Sequence, residues 1–174
     1  MKKLKIQMNG RSDEFGTPKI AIEVLMPYLN KDWTILECAW GKGSLARHLE
    51  SEGFRVVGDK RFDFIKDKDG WKNVSCIITN PPYSKKEEFL EECYRRNKPF
   101  ALLMPLTALE GKKRGALYKK YGIQLIIPNK RFNFETPSGK GSGSWFATAW
   151  FCFGLNLPKD LNFVEIEKTA QEIN

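Results

Sequence analysis

Residues 34–59, TILECAWGKGSLARHLESEGFRVVGD, decide the fold of this protein. The first five residues are mostly apolar and predict a short buried strand, and the last six predict a second strand. Between them, SLARHLESEG has the pattern of a helix that ends at Gly53. A strand followed by a helix and another strand is the repeating unit of a parallel sheet, so this segment predicts an α/β protein.

The same alternation of apolar strands and helices continues along the rest of the chain. An N-terminal helix is predicted in TPKIAIEVLMPYL, where Thr17 would cap the helix and Pro18 would open it. Continuous apolar strands separated by helices are typical of a sheet covered on both faces. We therefore predict a doubly wound, mostly parallel α/β sheet of the Rossmann-like class, with an antiparallel last strand. Further strands are predicted in VSCIIT, FALLMP, IQLIIP and WFATAWFCF, and further helices in SKKEEFLEECYRRN and ALEGKKRGALYKKYG.

The length of 174 residues predicts a single domain over residues 1–174, with peripheral tails at 1–14 and 156–174. No apolar run approaches the roughly 20 residues that a bilayer-spanning helix needs. The lack of such a run predicts no membrane partner. The four cysteines are scattered and lie mostly in apolar stretches, which favours reduced thiols, a cytoplasmic protein and no metal cluster. The formal net charge of +8 favours a polyanionic partner, of which nucleic acid is the commonest.

A glycine-rich loop follows the first strand of the opening unit. Gly41, Gly43 and Ala46 fit the pattern G-x-G-x-x-[G/A], in which glycine lets the backbone approach a nucleotide closely. Asp59 ends the second strand, where an acidic side chain can bind ribose hydroxyls. A strand before the loop, a helix after it and an acid at the next strand end together predict a nucleoside-type cofactor.

Two charged residues bear on which cofactor the loop binds. Glu37 lies at the tip of the first strand, where a carboxylate would repel a pyrophosphate but attract the cationic methionine end of S-adenosylmethionine. Lys42 lies between the two glycines and would equally attract a phosphate. The loop alone therefore leaves a dinucleotide and S-adenosylmethionine both open.

The corner Asn80-Pro81-Pro82-Tyr83 ends another apolar strand, VSCIIT. An exocyclic amine on a base is a poor nucleophile because its lone pair is delocalised into the ring. The Asn80 side-chain oxygen and the Pro81 carbonyl can accept hydrogen bonds from its two N–H groups. Such bonds favour a tetrahedral, nucleophilic nitrogen. The prolines hold this carbonyl rigidly, and Tyr83 offers an aromatic face to a base taken out of its stack. The corner therefore predicts chemistry on an amine as well as the end of a strand.

Taken together, ECAWGKGSLARHL, VVGDKRFDF and IITNPPYS resemble the amino-methyltransferases that use S-adenosylmethionine. The similarity is to adenine-N6 DNA methyltransferases with an NPPY motif, and in particular to small phage-type members. It runs from about Phe15 to Phe153 and includes DEFGTPKIAIEVLMPYL, PLTALEG and GSWFATAWFCF. The resemblance implies a class I methyltransferase fold, S-adenosylmethionine as cofactor, and methyl transfer to the N6 amine of adenine, with DNA as the favoured substrate and RNA as the other nucleic acid.

The resemblance also implies roles for particular residues. In the family, a Thr-Pro segment closes over the methionine end of the cofactor, and an Asp-Phe pair holds its adenine. The residues that match the cofactor-binding positions are Thr17, Pro18, Glu37, Gly41, Gly43, Asp59, Asp63 and Phe64.

The catalytic positions fall on Asn80, Pro81, Pro82 and Tyr83, and Tyr83 would also contact the substrate. In related enzymes a late aromatic residue sandwiches the flipped base, and the segment NKRFNF supplies the candidates Phe132 and Phe134. Cations that interleave with aromatic rings are typical of a groove that follows a phosphate backbone. In the same segment these cations are Lys130 and Arg131.

Three features depart from the pattern of this family. Trp40 and Lys42 place a bulky ring and a cation where small, varied residues are usual. Only three residues separate Asp59 from Asp63, so the usual intervening helix would be missing or reduced. No room remains for a separate target-recognition domain, so sequence specificity would come from loops, from a protein partner or an oligomer, or be low. The segment SGKGSGS would form a loop that could close on the substrate.

These departures keep other functions open. RNA adenine, cytosine N4 and a protein glutamine also present a planar amino group to such a corner. A catalytically weak module that binds cofactor and nucleic acid is a second class of function. A dinucleotide-dependent oxidoreductase is a third, although it does not explain the NPPY corner.

Overall fold

The computed structural model describes residues 16–134 and 146–167, so the predicted tail at 1–14 and the SGKGSGS loop lie outside the described residues. Within these ranges one sheet contains β1 (Thr34–Leu36), β2 (Arg55–Val57), β3 (Cys76–Thr79), β4 (Phe100–Pro105), β5 (Gln124–Pro128), β6 (Thr148–Phe153) and β7 (Leu161–Val164). The strand order is β2-β1-β3-β4-β6-β5-β7. Strand β6 is antiparallel to β4 and β5, and the other neighbouring strands are parallel. The predicted doubly wound sheet, with an antiparallel strand in WFATAWFCF, is confirmed.

The described ranges contain four α-helices: α1 (Lys19–Glu23) precedes β1, and α2 (Ser44–Ser51), α3 (Lys86–Arg96) and α4 (Lys112–Tyr121) connect strands. Helix α1 is shorter than predicted, and a separate 3-10 turn follows at Met26–Tyr28. Pro27 explains this break, because a proline lacks the N–H that a helix interior needs but fits the first turn of a new segment. Pro18 precedes α1 as its N-cap, and the Thr17 side chain does not cap the helix.

Two apolar clusters cover the two faces of the sheet. On one face, α1 and α2 pack on a cluster that includes Ile78 and Trp150, and the Trp150 indole donates to the Ala21 carbonyl at 2.6 Å. On the other face, α3 and α4 pack on a cluster that includes Ile77. Consecutive residues of β3 therefore point into opposite clusters, as expected for a strand buried on both faces. This packing holds the strand ends, and the loops that follow them, in fixed places.

Strand β7 differs from the prediction, which treated residues 156–174 as a peripheral tail. The strand pairs in parallel with β5, and its buried Asn162 side chain donates to the Leu125 carbonyl at 3.0 Å. Leu161 and Phe163 are exposed on the same strand. An edge strand with apolar residues outside and a polar residue inside gives no hydrophobic signal, which is why the sequence does not reveal it.

The strand order reverses next to β1. Strand β2 lies on one side of β1 and β3 lies on the other, so the connections that leave β1 and β3 diverge. Such a switch point opens a crevice outside the carboxyl ends of the strands, where ligands bind in open α/β sheets. The glycine loop follows β1 directly and the Asn80 corner follows β3 directly, so both open onto this crevice.

Candidate cofactor and acceptor site

A cavity of about 460 Å³ lies at the switch point. Its walls come from the segment before α1, the glycine loop after β1, the connection between β2 and β3, and the corner after β3. The predicted cofactor loop and the predicted amine-binding corner therefore share one cavity. The predicted site residues that line it are Thr17, Glu37, Gly41, Asp63, Phe64, Asn80 and Pro82.

Other predicted site residues lie elsewhere. Two of them, Phe132 and Phe134, belong to the hydrophobic core. The described residues that line the cavity do not include Pro18, Gly43, Asp59, Pro81, Tyr83, Lys130, Arg131, Phe132 or Phe134.

The glycine loop surrounds the indole ring of Trp40. Gly41 and Gly43 have φ angles of 50° and 74°, and Gly43 forms the N-cap of α2. A Cβ on Gly43 would lie 3.1 Å from Trp40 Nε1, and a Cβ on Gly58 would lie 2.8 Å from Trp40 Cε3. The indole therefore fills the space between the loop and the segment after β2, which requires glycine on both sides. Trp40 also forms part of the cavity wall.

Glu37 places a buried carboxylate in the cavity wall. The residue is only 2% exposed, and its Oε1 accepts hydrogen bonds from the Thr79 hydroxyl at 2.5 Å and the Ala39 N–H at 2.8 Å. Burial raises the pKa of Glu37 to about 7, although the two hydrogen bonds act to lower it. A cation bound in the cavity would favour the ionised carboxylate. Glu37 therefore suits the cationic end of a ligand.

Asp59 follows β2 at the predicted place, but its carboxylate is already occupied by a neighbour. The backbone N–H of Arg61 donates to Asp59 Oδ1 at 2.7 Å, and the Arg61 guanidinium donates to both carboxylate oxygens at 3.3 Å. Hydrogen bonds from the Arg61 side chain and backbone hold the pKa of Asp59 below its ordinary value. Lys60 and Arg61, rather than Asp59, line the cavity here. The predicted ribose contact of Asp59 thus finds no support in its position.

Asp63 and Phe64 lie in the β2–β3 connection (residues 58–75), which contains no helix or strand. This agrees with the predicted loss of the intervening helix. Asp63 Oδ1 accepts the N–H groups of Ile65 and Lys66, each at 3.1 Å, and so closes a tight turn. The Phe64 ring is buried against Phe89, with ring centroids 5.3 Å apart. Both predicted adenine-binding residues are therefore held in the wall of the cavity.

Asn80 lines the cavity at the end of β3. Its Nδ2 donates to the Thr17 hydroxyl oxygen at 3.2 Å, which fixes the orientation of the amide. Its Oδ1 is buried, and no donor within the described part of the chain reaches it. A buried acceptor without a donor costs about 1–3 kcal/mol, unless a ligand or water supplies the hydrogen bond. The structure thus presents an amide oxygen to a donor that enters the cavity.

The remainder of the corner provides rigidity and an aromatic wall. Pro81 is buried, and the Pro82 carbonyl accepts the Lys85 N–H at 2.9 Å in the turn that leads into α3. The Tyr83 ring meets the Phe146 ring edge to face, with centroids 5.5 Å apart. Phe146 lies just before β6, and no sequence motif assigns it a role. Its place beside the corner depends on the antiparallel path of β6, which returns the chain to this edge of the sheet.

Phe132 and Phe134 are core residues, and this position does not favour the predicted stacking of one of them on a substrate base. They are 1% and 6% exposed and belong to the apolar cluster beneath α1 and α2. Stacking on a base would require either ring to leave this cluster. Lys130 and Arg131 follow β5 at the same edge of the sheet as the cavity, and Lys130 Nζ donates to the Glu167 carbonyl at 3.2 Å. Contact of these two cations with a substrate backbone stays a prediction.

The cavity also contains residues that the motifs did not identify. Cys38 and Phe89 reach it from the core clusters, while Lys60, Arg61 and Lys85 come from polar connections. The net charge of +8 signals an excess of cations but not which loops bring them together. Among the described residues, the cationic side chains that line the cavity are Lys42 of the glycine loop, Lys60, Arg61 and Lys85.

Within residues 16–134 and 146–167, no group of three or more His, Cys, Asp or Glu side chains is arranged to hold a metal ion. All four cysteines are buried and free. Among the helices of the same ranges, none has the length and apolar character required to span a bilayer.

Three solved structures illustrate what this architecture is similar to. One is a type I restriction-modification methyltransferase subunit from Streptococcus thermophilus, with a TM-score of 0.58 and 17% identity over 90% of this chain and 49% of that one. Another, described as a modification subunit of a type I restriction enzyme from Vibrio vulnificus, has a TM-score of 0.54 and 13% identity over 93% and 49%. A precorrin-6y C5,15-methyltransferase from Geobacter metallireducens has a TM-score of 0.52 and 13% identity over 82% and 94%.

This chain spans about half the length of the first two of these proteins. No protein-family model matches the chain, and no curated protein sequence matches it significantly. At such low identity the likeness concerns the fold. The chain therefore has the Rossmann-like fold of class I methyltransferases that its sequence predicts.

Proposed function

We propose that this protein transfers a methyl group from S-adenosylmethionine to the exocyclic N6 amine of adenine, with DNA as the favoured substrate. The observation that carries the proposal is the Asn80 side chain, whose Nδ2 is held by Thr17 and whose buried Oδ1 meets no donor in the described ranges. An exocyclic amine supplies the N–H that this oxygen lacks. The methyltransferase fold, shared with proteins of type I restriction-modification systems, supports the same chemistry.

The residues of the cavity fit S-adenosylmethionine, which when bound supplies a methyl group on a positively charged sulfonium. The carboxylate of Glu37 would attract the cationic methionine end of this ligand. Gly41 leaves room for the ligand to approach the backbone of the loop. Asp63 and Phe64 form the wall on which the adenine end would rest. The buried acceptor of Asn80 lies in the same cavity, so donor and acceptor groups would meet there.

The corner would activate the amine by orienting it. Asn80 Oδ1 and the Pro81 carbonyl would accept hydrogen bonds from its two N–H groups. These bonds draw the nitrogen lone pair out of conjugation with the ring. The methylated amine is acidic enough to release its proton to water, so the corner needs no strong general base. Tyr83 and Phe146 supply ring faces for a base taken out of its stack, in place of the buried Phe132 and Phe134.

A dinucleotide-dependent oxidoreductase is the second candidate, and one observation favours it. Four cationic side chains line the cavity, and cations attract a pyrophosphate. The buried carboxylate of Glu37 opposes a pyrophosphate, however, and hydride transfer from a dinucleotide gives no role to the Asn80-Pro81-Pro82-Tyr83 corner. Calorimetry with S-adenosylhomocysteine and with NAD separates the two, since binding of NAD alone would replace the first proposal with the second.

Incubation with methyl-labelled S-adenosylmethionine tests the reaction itself. DNA, RNA and a cell protein extract are offered separately, and we expect the label in DNA as N6-methyladenine. Label in RNA, at cytosine N4 or in protein glutamine would keep the mechanism and change the substrate. Cofactor binding without transfer to any acceptor would instead indicate a binding module and contradict the proposal.

A further inference from the structure

The β2–β3 connection contributes residues 60–65 to the cavity wall, among them Asp63 and Phe64, without a helix or strand of its own. More than half of its residues are exposed, and burial of a few side chains such as Phe64 fixes only part of it. The last turn of α3 also holds it.

The Arg96 side chain holds the connection by its carbonyl groups. Its Nη1 donates to the Gly70 carbonyl at 2.6 Å, and its Nη2 donates to the Asp67 carbonyl at 2.7 Å. Its Nε donates to Glu92 Oε1 at 2.8 Å, so the guanidinium is fixed to α3 by its remaining edge. The Arg96 side chain is only 7% exposed, and water therefore competes little for these bonds.

The same guanidinium packs against the aromatic ring of a wall residue. Its Cζ lies 4.6 Å from the centroid of the Phe64 ring and 5.9 Å from that of Phe62. Phe64 meets Phe89 of α3 nearby, at a centroid distance of 5.3 Å. A single side chain thus contacts the connection both at its carbonyls and at the ring that lines the cavity.

Glu92 fixes the guanidinium in turn. Its buried carboxylate accepts hydrogen bonds from Arg95 at 2.6 and 2.8 Å and from Lys68 of the connection at 2.8 Å, besides the bond from Arg96. Burial acts to raise the pKa of Glu92, but the hydrogen bonds from Arg95, Lys68 and Arg96 outweigh it and lower the pKa to about 2. The carboxylate is therefore ionised throughout the neutral range, and the arrangement does not depend on pH there.

We propose that Arg96, oriented by Glu92, is a positioning residue for the cofactor site. By fixing the carbonyls of Asp67 and Gly70 and the ring of Phe64, it holds the wall on which the adenine end of the cofactor rests. Arg96 thereby holds in place a connection that has no helix to stabilise it. The inference depends on the proposed function for the identity of the ligand, but the placement of the wall does not.

A pair of variants tests the proposal. Arg96→Met keeps the aliphatic stem but removes the three donors and the charge above Phe64. Arg95→Met is the matched control, because Arg95 also binds Glu92 and a carbonyl of the connection, that of Lys68 at 2.8 Å, but its side chain is 47% exposed and, within the described residues, its hydrogen bonds reach no residue that lines the cavity. We expect Arg96→Met to raise the Kd for S-adenosylhomocysteine by about tenfold or more. Arg95→Met should change it by no more than about twofold.

Two further readouts separate positioning from a general loss of stability. Hydrogen exchange should accelerate at the amides of residues 58–75 in Arg96→Met and much less in α2 or β4. In methyl transfer, KM for S-adenosylmethionine should rise with Kd while kcat at saturation stays nearly unchanged, since the acceptor corner is untouched. Faster exchange in the connection without any change in Kd would overturn the proposal.

Arg96→Lys keeps the test decisive if Arg96→Met does not fold. Lysine retains a charge near the Phe64 ring but cannot bridge two carbonyls and a carboxylate at once, so we expect an intermediate Kd. A Kd equal to that of the unmodified protein would contradict the positioning role. If the unmodified protein binds neither S-adenosylmethionine nor S-adenosylhomocysteine, the proposed function fails, while selective exchange in the connection would still show that Arg96 holds it.

Discussion

Asn80 and Asp59 follow the two strands that flank β1, and the sequence assigns a ligand to each of them. Their surroundings differ. The carboxylate of Asp59 is exposed and accepts three hydrogen bonds from Arg61, its neighbour two residues along the chain. The Oδ1 of Asn80 is buried and meets no donor in the described ranges. A place at the end of a strand is therefore not enough to make a polar residue a ligand.

The free energies of the two arrangements explain the difference. An exposed carboxylate beside an arginine is satisfied by that arginine and by water, so it needs no ligand. A buried amide oxygen without a donor lowers the stability of the folded protein by about 1–3 kcal/mol. Such a cost is tolerated where a bound molecule completes the hydrogen bond. We therefore infer that the Asn80 corner, and not Asp59, is the more sensitive part of the site.

Replacement of Asn80 should have the largest effect. Asn80→Ala removes the acceptor that orients the amine, and we expect kcat for methyl transfer to fall on the order of 10²–10³-fold. The Kd for S-adenosylhomocysteine should stay within about threefold, because the side chain is assigned to the acceptor. Calorimetry and a labelled-methyl assay measure the two quantities. A large loss of cofactor binding would contradict the role of Asn80.

Thr17→Val supplies a control for this prediction. It removes the hydroxyl that accepts Asn80 Nδ2 at 3.2 Å but leaves the Asn80 Oδ1 in place. The amide would then be less firmly oriented, so kcat should fall by less than in Asn80→Ala. Equal losses in the two variants would mean that the orientation of the amide, rather than its oxygen, limits the rate.

The aromatic pair beside the corner should have the next largest effect. Phe146→Ala removes a ring face next to Tyr83, and stacking of a base on an aromatic ring contributes about 1–3 kcal/mol. We expect KM for a DNA substrate to rise on the order of tenfold or more, with a small change in the thermal midpoint. Phe132→Ala should behave in the opposite way, because its buried ring leaves a cavity that costs about 3–5 kcal/mol. A normal KM in Phe146→Ala would contradict the stacking role.

Glu37→Gln should separate the effect of the Glu37 charge on stability from its effect on cofactor binding. The folded-state pKa of Glu37 is raised from 4.5 to about 7, so stability falls as pH rises through this window and the full penalty, about 3 kcal/mol, is present above pH 7. Glutamine carries no charge and still accepts from Thr79 and Ala39. We therefore expect a higher thermal midpoint than the unmodified protein at pH 8 and little difference at pH 4.5.

Glu37→Gln should weaken the affinity for the cationic cofactor at pH 8, although it raises the thermal midpoint there. In the unmodified protein the affinity should rise with pH from 6 to 8 as the Glu37 carboxylate ionises, whereas in Glu37→Gln it should be flat and about tenfold weaker at pH 8. Calorimetry with S-adenosylmethionine over this range measures both. A parallel pH profile in the two proteins would mean that Glu37 does not face the cofactor.

Local sequence patterns predict much of this molecule. Apolar runs such as VSCIIT and the glycine loop after β1 identify the sheet and its switch point, because strand burial and loop geometry are local properties. Asn80 and Glu37 are also identified, since their roles depend on directly following a strand. Edge strand β7 is missed because its one buried residue, Asn162, is polar and gives no hydrophobic signal. Burial at an edge also depends on the partner strand.

The wall of the site depends on contacts that no local pattern contains. Phe132 and Phe134 have the composition of a binding segment, but the path of the chain after β5 directs them into the core. Phe146 reaches the corner because β6 runs antiparallel, and Arg96 reaches the connection because α3 ends beside it. Partners such as Arg96 and Gly70 lie 26 residues apart, and only the fold brings them together.

Asp59 should give the smallest effect, and this is the sharpest test of the comparison with Asn80. Asp59→Asn keeps an oxygen for the Arg61 N–H and removes the charge, and we expect the Kd for S-adenosylhomocysteine to change by less than about twofold. Asp63→Asn is the matched variant, because Asp63 lines the cavity and should weaken binding more. If Asp59→Asn instead weakened binding about tenfold, Arg61 would have to release the carboxylate when the cofactor enters. An exposed, internally paired acid would then be a ligand after all, because an exposed ion pair is weak enough for a ribose to displace.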